Sequence, residues 1–160
     1  MVDANTARAS AQREIETGPQ WNDPQFHAWR GAEAGEPQLV HDLFGRPDYW
    51  LVPIQHEGTS VGAVRVLANG RAAASIAYRA GSDLLSMDPQ AVVERACSAM
   101  DQHRERAGAV LLVHDGPPGR EAWRVEVLLD DQVLRWIFVT PGGVYHRSPS
   151  DDLQQQGDFD

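Results

Sequence analysis

Alternation of apolar and polar positions dominates the middle and the end of the chain. From Asp48 the runs DYWLVPIQH, TSVGAVRVLA and RAAASIAYR read as three strands. Asn69-Gly70, between the second and third, is a hairpin turn, since both residues tolerate the positive φ such a turn needs. Pro53 has no N–H to give to a ladder, which puts its strand at an edge or at a bulge. Later in the chain AVLLVHD, EAWRVEVLL, VLRWIFV and VYHR repeat the pattern, separated by GPPG, Asp130-Asp131-Gln132 and TPGG. The sum is an antiparallel meander.

Period-3.6 spacing is rarer. Asp23-Pro24 starts a short helix carrying Phe26, Trp29 and Arg30, and a second short helix is expected from Pro37 to Phe44, with Leu39, Val40, Leu43 and Phe44 on one side and Gly45 as its stop. The longest helix starts at Ser86 or Asp88 with Pro89 in its first turn. Its stripe runs through Val92, Val93, Ala96, Cys97, Met100 and Ala107 to Gly108. The expected fold is therefore α+β, an antiparallel meander packed on that long helix. Residues 19–147 form one compact domain with halves 19–80 and 81–147. Residues 1–18 hold little apolar surface beyond Ile15 and read as a disordered tail or frayed helix, and the acidic segment 148–160 reads as a disordered C-terminal tail.

A weak internal repeat joins the two strand regions. Trp50, Val52, Ile54, Val64, Val66 and Gly70 each have a counterpart later in the chain at one constant offset, at Trp123, Val125, Val127, Ile137, Val139 and Gly143. In both places one strand face carries a tryptophan and two β-branched residues, and a hairpin follows.

The stretch Trp123-Arg124-Val125-Glu126-Val127, then Ile137-Phe138-Val139 and Gly142-Gly143-Val144, resembles the PepSY and cystatin-like group over residues 88–147, with a fainter echo in 48–79. The resemblance implies a domain that modulates or inhibits peptidases, or that holds a peptide or partner against its sheet, with two such halves in tandem as one form of it. It brings no catalytic residues with it. PepSY domains are commonly exported, and this N-terminus shows no export signal.

Charge narrows the partners. With 23 acidic and 14 basic residues the formal charge is −9, which repels nucleic acid and anionic membranes and suits a basic protein partner. No apolar run approaches the roughly 18–20 residues of a membrane span, and the first residues lack the basic start and apolar run of a signal peptide, so a cytoplasmic location is expected. The lone Cys97 excludes an intrachain disulfide and a multi-cysteine zinc site, and its place on the helical stripe reads as core packing.

Candidate chemistry is sparse. The six histidines, His27, His41, His56, His103, His114 and His146, show no H-x-x-x-H or H-x-H spacing, so no metal site or other cofactor is expected. His41-Asp42, His56-Glu57 and His114-Asp115 are adjacent, and adjacent strand residues point to opposite faces. His114 and Asp115 stand out because they end an apolar strand just before the sharp GPPG loop. Along VLRWIFV, Val133, Ile137 and Val139 alternate with Leu134, Trp136 and Phe138, so both faces are apolar and one needs a cover beyond the helix. That cover is the first strand region, a second subunit or a partner protein. Trp136, flanked by Leu134 and Phe138, is the expected partner contact, while Trp21 and Trp29 are expected to anchor the first helix. Two function classes follow. One is a non-enzymatic protein-binding or regulatory module, a peptidase regulator or a neutraliser of a basic partner, with a homodimer as a further possibility and no catalytic residue. The other is a ligand-binding protein or enzyme with a pocket between helix and curved sheet, built on His114 and Asp115 or Tyr78 and His56.

Overall fold

The computed structural model describes residues 1–18, 22–78, 83–115 and 119–148. The expectations for residues 149–160, for Trp21 and for Gly116–Pro118 lie outside them. Nine strands are described: β1 Glu33–Ala34, β2 Gln38–His41, β3 Pro47–His56, β4 Thr59–Leu67, β5 Ala72–Ala77, β6 Arg106–His114, β7 Glu121–Leu129, β8 Gln132–Thr140 and β9 Gly143–Arg147. Two α-helices accompany them, α1 Ala4–Thr17 and α2 Pro89–Cys97. The strand order is β5-β4-β3-β2-β6-β7-β8-β9, with β1 beside β3.

This corrects the expected fold in two respects. The sheet is large and mixed rather than an antiparallel meander, because β2 and β6 run parallel through His41 and Val113. Nor does it rest on a long helix in two tandem halves. α2 has nine residues and ends at Cys97, capped by Ser98, whose N–H still reaches the Glu94 carbonyl. The stripe that suggested a longer helix crosses a polar gap, Asp101 to Arg106, and Ala107 beyond it belongs to β6. Two compact units are present, Met1–Ser86 with Leu112–Glu121, and Met87–Leu111 with Ala122–Asp160.

In the first unit, residues 4–17, placed in a tail by composition, form α1. Asp3 caps it by accepting from Thr6 N at 2.7 Å. Ala7, Ala11 and Ile15, spaced one turn apart, bury one face against Val52, Ile54, Val64 and Val66. Small side chains bring the helix close enough for polar side chains to bond the sheet. Ser10 Oγ donates to Gly70 O at 2.7 Å, Arg8 Nε to Ala34 O at 2.8 Å and Trp50 Nε1 to Val2 O at 2.9 Å. These contacts offset an ordering cost that an alanine-rich face alone covers poorly.

The segment Pro24–Trp29 is a 3-10 turn started by Asp23. It lays the fully buried Trp29 over Gly62, where a Cβ would come 2.7 Å from the indole, and Trp29 Nε1 donates to Val61 O. The helix expected over 37–44 is instead β2 followed by a turn in which the Asp42 carboxylate accepts from Phe44 N and Arg46 N. Leu39 and Val40 suit either period, and pairing with β3 decides between them. β3 is an interior strand, yet Pro53 is accommodated. Its carbonyl accepts from Gly35 N, so its N faces the same side, where the chain is broken between β1 and β2.

The internal repeat corresponds to two hairpins of matching construction. Trp50 pairs with Val66, Val52 with Val64 and Ile54 with Gly62; at the counterpart positions Trp123 pairs with Val139, Val125 with Ile137 and Val127 with Arg135. Each hairpin then takes one extra residue on its second strand, Val61 in one and Leu134 in the other. Each closes through two residues at positive φ, Glu57-Gly58 and Asp130-Asp131.

In the second unit α2 packs on β8. Beyond the helix, Arg135 grips Glu105 through both terminal guanidinium nitrogens, and its Nη2 also donates to Ala99 O at 3.3 Å, tying the 99–105 turn to the strand.

Candidate functional site

Polar chemistry in the first unit gathers at the start of β3. Tyr49 is fully buried and its hydroxyl donates to Glu121 Oε1 at 2.7 Å, while Glu121 Oε2 accepts from Gly119 N at 2.9 Å. His114 Nε2 lies 2.6 Å from Asp48 Oδ2, and its ring is 5.0 Å from that of Tyr49. Asp115 accepts from Arg120 at 2.7 Å. The carbon of the Arg65 guanidinium sits 3.9 Å from the centre of the Tyr49 ring. Burial, then the hydrogen bond to Glu121, pushes the Tyr49 hydroxyl far above the ordinary phenol range. Tyr78 is pushed the same way by burial and by the charges of Asp83 and Glu121.

Of the pocket residues read from the sequence, His114 and Asp115 lie in this cluster on different partners, Asp48 and Arg120. Tyr78 shares the electrostatic neighbourhood of Glu121. His56 lies at the far end of β3, about 26 Å from Asp48 at ~3.3 Å per residue. There Nδ1 meets Ala28 O at 2.9 Å, beside an open cleft of about 460 Å³ lined by Arg8, Glu33, Gln55 and Glu57. Tyr49, Arg65 and Glu121 escaped the sequence reading because they are distant in sequence and meet only through strand pairing. An aromatic residue and an arginine in alternating strands gave no separate signal.

In the second unit the expected contact residues divide by exposure. Trp136 and Phe138 are 5% and 2% exposed, Leu134 44%. The extra residue that Leu134 supplies to β8 interrupts the alternation that put it in line with the other two. Trp136 lies under the Arg124 guanidinium at 4.8 Å and meets Phe138 edge-on. Phe138 stacks on Tyr145, centroids 5.1 Å apart and planes within 5°, and Tyr145 is 46% exposed on β9. Among the described strands β9 has one neighbour, β8, so its outer edge faces no other described strand.

Among the described residues no three His, Cys, Asp or Glu side chains are arranged to hold a metal ion, and no helix is long and apolar enough to cross a membrane. Cys97, at the end of α2, is partly buried. Comparison with protein-family models, with curated proteins and with solved structures finds no match.

Proposed function

We propose that this chain is a non-enzymatic protein-binding module whose contact surface is the β8–β9 face of the second unit. The observation that carries this reading is Tyr145, an exposed ring held parallel on the buried Phe138, on the outermost described strand. A ring fixed before binding loses little conformational freedom on contact, and exposed aromatics beside a polar edge are typical binding anchors. Leu134 is a second exposed apolar side chain on β8, at the bulge, and a strand with one neighbour among the described strands, as β9 is, suits an extended segment that pairs through main-chain hydrogen bonds. The net charge of −9 favours a basic partner by steering its approach. The resemblance to PepSY and cystatin-like domains makes peptidases the first class of partner to try.

The test compares the immobilised full chain with a Leu134→Glu/Tyr145→Glu variant in native lysate at moderate salt, with circular dichroism as the check on folding. The full chain is expected to retain one protein in stoichiometric amount, and the folded variant to lose it. Retention of the same protein by the variant removes β8–β9 as the surface. No retained protein in either sample ends the protein-binding reading.

A further inference from the structure

Arg65 lies on β4 of the first unit, between Leu51 and Ala74 on its neighbouring strands. It is partly buried and stacked on Tyr49, yet none of its N–H groups meets an acceptor among the described residues, and its Nε is wholly sealed from solvent. A guanidinium carries five donors, and a buried donor left unbonded costs about 1–3 kcal/mol. Stacking on tyrosine recovers part of that cost but satisfies no donor. The neighbouring carboxylates are held elsewhere: Glu121 by the Tyr49 hydroxyl and Gly119 N, Asp48 by His114.

The fold itself does not require an arginine here. Arg65 and Phe138 stand at equivalent places in the two matching hairpins, and the second hairpin fills its place with a buried phenyl ring. Arg65 therefore introduces a charge where an apolar side chain serves, and the described residues give that charge no ion pair.

We propose that Arg65, lying flat on Tyr49, is a binding site for the carboxylate group of a small organic monoacid. A planar guanidinium presents parallel N–H groups that match a carboxylate in two-point contact. Because Nε is sealed and unbonded, the terminal nitrogens are the ones open to a ligand. Of the residues paired with Arg65, Leu51 is buried and Ala74 is partly exposed, so the remainder of the acid lies on the Ala74 side. Glu121 and Asp48 lie close enough to Tyr49 to act on its hydroxyl, and two such negative neighbours disfavour a doubly charged ligand. This site is independent of the β8–β9 surface, and either proposal stands if the other fails.

The experiment is a titration of the full chain, labelled with ¹⁵N-arginine, with benzoate, following the Arg65 Nε–H resonance. A saturable one-site shift is expected, with none from benzamide, which has a similar shape and no charge. Arg65→Met is expected to abolish the shift while leaving the melting temperature unchanged or raised, since it removes a charge that no described residue pairs. Arg65→Lys keeps the charge and loses the fork, and weakens binding by roughly tenfold or more, the worth of one charge-assisted hydrogen bond. The proposal is overturned if no saturable shift occurs, if benzamide binds as well as benzoate, if inorganic phosphate binds more tightly than benzoate, or if Arg65→Lys binds unchanged.

Discussion

Tyr49 and Tyr78 show how a single side chain takes its chemistry from its surroundings. Both phenols are disfavoured as anions, first by burial and then by nearby carboxylates, so their folded-state pKa values lie above the unfolded value of 10.0. With the folded value raised, the native chain holds protons that the unfolded chain releases once the pH passes 10.0. The associated stability is complete below that pH and is lost as the pH rises toward the folded values. An alkaline absorbance titration is expected to show no phenolate from Tyr49 or Tyr78 at pH 10.0 while the fold persists, and their ionisation to coincide with loss of the circular dichroism signal. Ionisation of either in the intact fold contradicts this account of the cluster. Of its members His114, Asp115 and Tyr78 were named from the sequence, the first two because they end an apolar run before a glycine-proline loop. Tyr49 and Glu121 meet across a separation of 72 residues, which no local pattern encodes.

Among the elements, α1 is the sharpest case. Its buried face is Ala7, Ala11 and Ile15, with too little apolar area for composition to distinguish it from a solvated tail. The packing against β3 and β4 makes a definite prediction. Ala11→Asp puts a carboxylate at a position with no solvent exposure and is expected to cost about 3 kcal/mol or more in urea denaturation. At a truly solvated position the same change stays within about 0.5 kcal/mol, so a result of that size removes α1 from the folded unit. The two misread helices fail for related reasons. Leu39, Val40, Leu43 and Phe44 fit a helical face as well as a strand followed by a turn, and only the antiparallel pairing of β2 with β3 selects the strand. The helix expected to reach Gly108 ran on because Ala107 continued its stripe in number, although the polar run from Asp101 to Arg106 intervenes. The hairpins were read more securely, since alternation and turn residues act within a few positions of each other. Even there the bulge at Leu134 was hidden, because an extra residue leaves composition unchanged.

For the whole molecule, net charge is the property that acts at a distance. At −9 the chain is expected to pass through a heparin column without retention at about 0.15 M salt, where the screening length is about 8 Å. Retention there points to a local cationic surface strong enough to override the total, and removes the electrostatic argument for a basic partner. Local and summed terms were enough to read the net charge, the lack of a disulfide framework, most of the strands, and the paired hairpins announced by their matching positions. The mixed sheet, with its parallel step from β2 to β6, depends on pairing between segments far apart in the chain. The docking of α1 and the stacking of Arg65 on Tyr49 likewise depend on which surfaces meet. Those are tertiary decisions, because many local patterns share one periodicity and only burial and hydrogen bonding across the assembled sheet distinguish among them.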